Sequence, residues 1–454
     1  MMHRTTVTAL VLALLPPTAV KAQDTVPPVE QGVRIGITYT PGLRPGMMVL
    51  GGPRDAVMDS VRAILSRDLD LSDRFEMISL PAGDSLVLGI TGAREGSAPR
   101  GDAPLFVNYS LHSALGAEYS IAVLPTSDPL STVVALYDVR GEVERQRFTI
   151  TAADATEGRF RFAVHQVADE LVRAASGEPG IAATRLLFVS NGRLFRIDAD
   201  GAALTTVSAP GVATFSPVWD PTGTKVVYTE LASGWGTIVV QDLLRGTKAT
   251  VRPTAEQLNY TAAVSPDGAQ LAFSRSSEDG TDIYRYNLQR DCCLERLTVG
   301  RFSDNLSPTF SPDGRQIAFV STRAGGQQIY VMSADGTGQE LFAPFDYGVT
   351  GNSNAPEWSP DGTQIAFHRD VMGSPQIFLM NVRSRVVRQL TSYGRNEDPT
   401  WAPDGRHLAF ISDRTGRRQV WTIDVESGRV RQLTTVGDAR LPAWSSRIQV
   451  PIQP

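Results

Sequence analysis

Apolar positions recur in short blocks from residue 184 to residue 447, and each block follows a tight-turn motif. The stretch "FSPDGRQIAF" at 310–319 shows the pattern, in which a Pro-Asp-Gly turn precedes a run of consecutive apolar residues. Proline presets φ at the second turn position, aspartate suits the third, and glycine follows where the chain reverses. A run that is apolar on both faces indicates a strand covered on both sides by neighbouring sheets.

The repeat is regular enough to be counted. Aligned on the position three residues before the turn aspartate or its equivalent, the column contains Trp219, Val264, Phe310, Trp358, Trp401 and Trp444. Its members are 45, 46, 48, 43 and 43 residues apart, and nine residues after each of the first five stands an aromatic: Tyr228, Phe273, Phe319, Phe367 and Phe410. Further strands follow, such as "QIYVMS" at 328 and "RVRQLT" at 429. Four short antiparallel strands with a period of about 45 residues are typical of one propeller blade.

The two ends of the repeat complement each other. Residues 184–207 contain three predicted strands, with Phe188 in the aromatic column, but no inner strand. Residues 441–447 supply one inner strand, with Trp444 in its column and no blade after it. We therefore predict a six-bladed β-propeller over 184–447, closed by the C-terminal strand so that no sheet edge stays open at the seam.

Residues 33–176 alternate between helical and strand periodicity, which predicts an α/β domain. A strand at 33–39 precedes a helix and a second strand at 75–80, and two strands from 131 and 142 form a hairpin around Arg140 and Gly141. The apolar face of the helix is predicted to contain Val57, Val61, Ile64 and Leu65. Asp154 and Glu157 have capping-box spacing ahead of a second amphipathic helix that ends at Gly177. Residues 177–183 are the predicted linker, and 448–454 a C-terminal tail.

The first 22 residues are typical of a secretory signal peptide. Arg4 precedes an apolar run at 7–15, and Val20 and Ala22 occupy the −3 and −1 positions of a cleavage site. No later segment offers about 18 uninterrupted apolar residues, so we expect no membrane insertion. The polar, proline-rich segment at 23–32 is predicted to be mobile.

Composition narrows the functional classes. The 454 residues are 42% hydrophobic and 20% charged, and the formal net charge of -5 comes without long runs of one sign. This disfavours nucleic-acid binding and a polybasic membrane patch. Two cysteines, Cys292 and Cys293, are adjacent, and two interpretations stay open: an incidental loop pair, or a vicinal disulfide, which an oxidising compartment permits.

No motif supports catalysis or metal binding. The nearest match to a nucleophile elbow, "GNSNA" at 351–355, lacks the final glycine and lies in a predicted interblade loop. The four histidines after the leader, His112, His165, His368 and His407, lack the spacing of metal ligands. "DADG" at 198–201 fits a turn better than a calcium loop. We predict no catalytic residue, no metal and no cofactor, while binding of a small ligand or cation in the central channel stays open.

The signal peptide, the small α/β domain with its closing helix, and the "SPDG" blades together resemble the TolB family of periplasmic propeller proteins of the bacterial Tol-Pal system. The resemblance is strongest at 162–190, and the stretch at 40–55 departs from it. It implies a non-enzymatic, periplasmic protein, expected to be a monomer, that binds the peptidoglycan-associated lipoprotein Pal. It also implies communication with the inner-membrane protein TolA through the mature N-terminus, in support of outer-membrane integrity and constriction during division. An exported propeller hydrolase or lyase is the competing hypothesis.

The family resemblance also points to a binding face. For Pal it indicates the propeller end that bears the loops between a fourth strand and the next inner strand, where polar side chains on a rigid ring can contact a partner. The predicted contact residues are Thr214, Asn259, Tyr260, Asp304, Asn305, Asn352, Ser353, Asn354, Asn396, Glu397, Asp398 and Asp438. The alternative is that the asparagines only cap turns. In the N-terminal segment, Val33, Arg34 and Ile35 are predicted to pair with a sheet edge of a TolA-like partner; the alternative is a disordered leader before a first strand.

Overall fold

The computed structural model describes residues 44–448 apart from 52–54, 80–106, 129–130, 152–156, 233, 252–253, 255–256 and 346–350. The predicted signal peptide, the segment 23–32 and the strand predicted at 33–39 lie outside the described residues. So do the capping residue Asp154, the tail after 448 and the candidate contact residues Val33, Arg34 and Ile35.

Residues 44–176, which we call the N-terminal domain, form one sheet with helices. Its elements are β1 (Gly46–Val49), α1 (Ala56–Leu71), β2 (Glu76–Ile78), α2 (Tyr109–Ala114), β3 (Ala117–Pro125), β4 (Ser131–Asp138), β5 (Val143–Thr151) and α3 (Glu157–Ser176). The sheet order is β2-β1-β3-β4-β5, with β1 parallel to both neighbours and β3, β4 and β5 antiparallel. The helices predicted from periodicity and the predicted hairpin are present, whereas β1 and α2 had no counterpart in the prediction.

Helix α1 begins where the sequence provides a cap. The Asp55 side chain accepts hydrogen bonds from the backbone N–H groups of Val57 and Met58 at 2.9 and 3.0 Å, which satisfies donors that an uncapped helix leaves open. Val61 and Leu65 are buried against α3 and the sheet. The prediction for Val57 is wrong: this side chain is exposed, and Met58 takes the buried position in the first turn.

The repeat region follows as five sheets of antiparallel strands. One contains β29 (Ala439–Trp444), β6 (Arg185–Ser190), β7 (Arg193–Asp198) and β8 (Thr205–Thr206), and the next contains β9 (Ala213–Trp219), β10 (Lys225–Ala232), β11 (Trp235–Asp242) and β12 (Thr247–Thr250). An eight-stranded sheet contains β13 (Asn259–Val264), β14 (Gln270–Ser277), β15 (Gly280–Asn287), β16 (Cys292–Arg296), β17 (Ser303–Phe310), β18 (Gln316–Ser321), β19 (Gln328–Ser333) and β20 (Glu340–Leu341). The last two sheets contain β21 (Ser353–Trp358), β22 (Gln364–Val371), β23 (Ser374–Asn381) and β24 (Val387–Gln389), then β25 (Asn396–Trp401), β26 (His407–Ser412), β27 (Gln419–Asp424) and β28 (Val430–Gln432). The eight-stranded sheet consists of two groups of four, joined by a two-residue parallel contact between β15 and β17.

Residues from both ends of the repeat region share one sheet. Strand β29 pairs antiparallel with β6, and Trp444 lies opposite Leu186. The Trp444 side chain is buried and its indole N–H donates to the Thr184 hydroxyl at 2.8 Å. This strand is therefore fixed both by backbone pairing and by a buried aromatic side chain.

Each Pro-Asp-Gly turn joins the first and second strands of one group and packs against the corresponding turn of the neighbouring group. In the turn 311–316, the Ser311 hydroxyl donates to the Asp313 carboxylate at 2.6 Å, and Gly314 adopts φ +70, a conformation that glycine reaches without steric cost. A side-chain carbon at Gly314 would lie 3.7 Å from Pro266 of the preceding turn, so consecutive turns are in close contact. The aromatic column, with Phe273, Phe319, Phe367 and Phe410, is fully buried.

Candidate protein-binding surface

Each group of four antiparallel strands has two ends. We call the rim the end that bears the turns between second and third strands (190–193, 277–280, 322–327, 371–374, 413–418) and the connections to the next group (207–213, 297–303, 391–396, 434–439). Backbone hydrogen bonds join rim segments of consecutive groups, as from Ser353 N–H to the Gln327 carbonyl and from Ala439 N–H to the Arg418 carbonyl, at 2.8 and 2.9 Å. The rim is thus one connected surface built on paired strands.

Five of the predicted contact residues are internal to the rim. Asn259, Asn305, Ser353 and Asn396 have no exposed surface, and Thr214 is 3% exposed. The Asn259 amide donates to the carbonyls of Gly236 and Thr254 at 2.9 and 2.8 Å. The first residue of an inner strand therefore satisfies carbonyls left open by nearby turns, and such a side chain supports the surface from below.

Arginines complete these sites, and the sequence reasoning missed them: Arg369 is buried, Arg275 and Arg414 are half-buried, and Arg323 is exposed. Arg275 Nε donates to the Asn259 Oδ1 at 2.9 Å, and its guanidinium lies over the rings of Phe273 and Tyr284 at 5.4 and 4.8 Å. Burial lowers the pKa of Arg275. The same contact recurs from Arg323 to Asn305, from Arg369 to Ser353 and from Arg414 to Asn396 at 2.8, 3.0 and 2.9 Å. The sequence does contain a signal for these arginines, since each lies two or four residues after the aromatic residue of its repeat.

The other predicted contact residues are partly exposed: Tyr260, Asp304, Asn352, Asn354, Glu397, Asp398 and Asp438. Most hold fixed positions through local contacts. The Tyr260 hydroxyl lies 3.0 Å from the Thr281 hydroxyl, and Glu397 pairs with Arg395 at 3.0 Å. These seven stay candidates for contact with a partner, because their side chains reach the surface.

The rim also carries exposed apolar side chains that the sequence reasoning did not identify. Phe302 is 88% exposed, Val299 76% and Tyr393 70%, and Met372 is fully exposed. Trp235, Leu231, Leu258 and Val436 are partly exposed at the same end. Several apolar side chains on one face are typical of a surface that another protein covers.

Two carboxylates near the inner strands, Glu357 and Asp398, have raised pKa values. Burial raises the pKa of Glu357 to about 7, although hydrogen bonds from the Trp401 N–H and the Thr400 hydroxyl, at 3.0 and 3.1 Å, act in the opposite direction. Burial also raises the pKa of Asp398, whose backbone N–H donates to His368 Nδ1 at 3.1 Å. Each group is held by inner-strand contacts.

The N-terminal domain is joined by ion pairs to the end opposite the rim. Asp73, which follows α1 and is 1% exposed, lies 2.6 Å from Arg431, 3.3 Å from Arg429 and 3.3 Å from His407. Burial alone raises the pKa of Asp73, but the His407 hydrogen bond and the Arg431 charge outweigh it and lower the pKa. Burial lowers the pKa of His407, but the Asp404 carboxylate outweighs it and raises the pKa to about 9.

Among the described residues, two buried clusters bring histidine and carboxylate atoms within 4.8 Å of one another: Asp68, His165 and Asp200, and Asp73, His407 and Asp424. In the first, His165 Nδ1 lies 2.7 Å from Asp68, and Asp200 already accepts from Arg161 at 2.6 Å. In the second, Asp73 and Asp424 are paired with arginines. Both clusters are therefore arranged as ion pairs at the contact between the domain and the repeats.

Comparison with known proteins identifies a matching family model and curated relatives of similar sequence. Residues 172–344 and 347–450 match the family model of the TolB beta propeller domain. The Tol-Pal system protein TolB of Anaeromyxobacter dehalogenans is 33% identical over 156 residues, 33% of this chain and 34% of that protein. The protein of the same name from Methylococcus capsulatus is 32% identical over 222 residues, 46% of this chain and 48% of that protein. The matched segments thus span between a third and a half of these curated relatives.

A solved structure extends the likeness in fold. The crystal structure of TolB from Acinetobacter baumannii superposes with a TM-score of 0.72 at 22% sequence identity, covering 89% of this chain and 97% of that chain. At this identity the match concerns the fold alone. Of the helices that the structure describes, none is long and apolar enough to cross a bilayer.

Proposed function

The chain belongs to the TolB β-propeller family, and we propose that it is a non-enzymatic, periplasmic component of a Tol-Pal system that binds a Pal-type lipoprotein through its rim. The observation that carries this proposal is the set of exposed apolar side chains on the rim, with Phe302 and Tyr393 the largest. Where the structure describes it, the N-terminal domain contacts the opposite end of the sheets, so these residues leave the rim accessible.

We propose that the repeat region is a closed ring of six blades. Six groups of four strands among the described residues support it, as does the pairing of β29 with β6, which unites the two ends of the region in one sheet. A closed ring has no free inner strand at its seam, and it holds the rim loops in fixed relative positions. Such preorganisation reduces the entropy lost when a partner binds.

The proposal assigns the rim two layers with separate roles. Phe302, Tyr393 and Met372 contact the partner directly, with Glu397 and Asp438 as polar neighbours at the same face. The buried asparagines and the arginines that donate to them keep the loops in place. A specific complex of this kind buries about 1,200 to 2,000 Å², and a few central aromatic side chains account for most of the affinity.

The second proposed partner is a TolA-like inner-membrane protein. We propose that Val33, Arg34 and Ile35 in the mature N-terminus make this contact by pairing with a sheet edge. Support of outer-membrane integrity and of constriction during division would follow from binding both partners. Deletion of residues 23–35 should abolish binding of the TolA-like protein and leave the affinity for the lipoprotein intact.

The hydrolase or lyase hypothesis finds little support around the one serine in an elbow-like motif. Ser353 is fully buried, and its hydroxyl accepts a hydrogen bond from Arg369 Nε at 3.0 Å. A nucleophilic serine needs a base within hydrogen-bond distance and access to substrate. For cation binding, the two histidine and carboxylate clusters among the described residues lie at the contact with the N-terminal domain, and neither contains Glu357 or Asp398.

The decisive experiment measures binding of the mature protein to the soluble domain of the Pal-type lipoprotein from the same organism by isothermal titration calorimetry. The double substitution Phe302→Ser and Tyr393→Ser should weaken binding at least about tenfold with an unchanged melting temperature. The matched control is Leu244→Ser with Val386→Ser, which removes two exposed apolar side chains, 76% and 60% exposed, from the end opposite the rim. Equal affinities for both double variants would remove the rim from the proposal.

A further inference from the structure

The two cysteines of the chain are bonded to each other on the outer edge of one sheet. Cys292 and Cys293 form a disulfide between sequence neighbours, at the start of β16, whose only strand partner among the described residues is β15. Cys292 is half-buried and Cys293 is exposed. The bond is therefore accessible from solvent, far from the rim contacts proposed above.

This disulfide constrains the fold very little. A disulfide stabilises a protein mainly by lowering the conformational entropy of the unfolded chain, and the effect grows with the length of the loop that the bond closes. A bond across a single peptide closes the smallest possible loop. Strand β16 is also held independently, because Tyr284 pairs with Arg296 and Arg285 with Glu295 along β15.

The turn before the disulfide has its own anchors as well. The Tyr286 hydroxyl donates to the Asp291 carboxylate at 2.5 Å, and the Arg290 N–H donates to the Asn287 side chain at 2.8 Å. Tyr286 is 3% exposed and packs in the core between sheets. The backbone around the cysteines is therefore expected to keep its course when the sulfur–sulfur bond opens.

From this combination we propose that Cys292–Cys293 is a reversible thiol–disulfide exchange site whose co-reactant is a dithiol, either a small molecule or a dithiol oxidoreductase. The thiolate of the dithiol attacks the exposed Sγ of Cys293. The Cys292–Cys293 bond breaks, its electron pair remains on Sγ of Cys292, and that sulfur takes up a proton. This step leaves a mixed disulfide on Cys293.

A second step completes the exchange. The other thiolate of the dithiol attacks its own sulfur in the mixed disulfide, and Cys293 leaves and is protonated. The dithiol becomes a disulfide, and two electrons and two protons have passed to the cysteine pair. Because the chain has no other cysteine, the reduced pair has no alternative partner within the molecule, and reoxidation restores the same bond.

The test uses the full mature chain purified without reductant. Its intact mass should be lower than that of the reduced chain by two hydrogen atoms. Dithiothreitol should then reduce the folded protein at a rate within about tenfold of the rate in urea, because access controls exchange. Iodoacetamide should add two groups per chain, with a shift in melting temperature below about 3 °C. Free thiols in the purified chain, or a folded protein that resists reduction, would overturn the proposal.

A trapping experiment tests the direction of attack. Thioredoxin lacking its resolving cysteine should form a mixed disulfide with the folded chain, and peptide mapping should locate it on Cys293. The double variant Cys292→Ser and Cys293→Ser should keep the same circular dichroism spectrum and trap nothing. A conjugate mapped to Cys292, or none with the native chain, contradicts the assigned step.

Discussion

The substitution Asp73→Asn tests how the N-terminal domain is held on the propeller. It preserves the shape of the side chain and removes a charge that is 1% exposed and lies 2.6 Å from Arg431 and 3.3 Å from Arg429. Removing one partner of a buried ion pair costs about 3 to 5 kcal/mol, since the remaining charges stay uncompensated. Arg429 is 45% exposed and recovers hydration, so we expect a loss near the lower limit, about 3 kcal/mol.

Asp70→Asn is the matched control. Asp70 contacts the same two arginines, at 3.2 and 3.3 Å, but its side chain is 41% exposed. Exposed ion pairs contribute at most about 1 kcal/mol, so this variant should differ little from the native protein. The two variants share charge, residue type and both arginine partners, so the comparison tests the buried position of Asp73, which also contacts His407 and Arg44.

The assay is urea unfolding followed by circular dichroism, combined with hydrogen exchange of α1 and β28. Asp73→Asn should lower the free energy of unfolding and increase exchange in both elements, since they meet at this contact. Equal losses for Asp73→Asn and Asp70→Asn, or a cost for Asp73→Asn below about 1 kcal/mol, would refute the reasoning that the buried carboxylate holds the domains together.

Three further predictions concern stability. Trp444→Ala should cost about 3 to 5 kcal/mol by loss of a buried aromatic side chain, seen as a lower urea midpoint; an unchanged midpoint would count against β29 as a stabilising strand. The pKa of His407 is raised to about 9, so protonated His407 should stabilise the protein fully below about pH 6.5, and this stabilisation should decline as pH rises through about 9. The melting temperature of His407→Gln, measured against pH, should lack this decline. Parallel curves of melting temperature against pH for the variant and the native protein would contradict the prediction. Asn259→Ala should lower the free energy of unfolding by about 1 to 3 kcal/mol, because buried carbonyls and Arg275 lose their hydrogen-bond partner. Asn354→Ala, at a partly exposed position, should change it by less than about 0.5 kcal/mol. Similar losses for both variants in urea titrations would disprove the distinction.

Much of the repeat region follows from local sequence. The strand predicted at 328–333 coincides with β19, and the strand predicted at 429–434 contains β28. Turn chemistry and apolar runs act over a few residues, so a regular repeat specifies where strands begin and end. The elements of the N-terminal domain were predicted less completely. Strand β1 has only four residues and α2 has six, which is too short for a hydrophobic periodicity to be recognised.

The candidate surface was predictable in place but not in detail. The sequence placed Asn259, Asn305 and Asn396 near the start of inner strands, where they lie, yet could not distinguish an exposed amide from a buried one. That distinction depends on carbonyls such as Gly236 and on Arg275, which come from other strands and turns. The partner-binding role of the exposed neighbours remains a prediction.

The sequence by itself determined the period, the strands and the turns, because each depends on residues close together in the chain. Only the tertiary structure decided which polar groups are buried, which apolar side chains stay exposed, and how the N-terminal domain attaches. The pair between Asp73 and Arg431 joins positions 358 residues apart. No local pattern specifies such a contact, since its strength comes from burial that exists only after both segments have packed together.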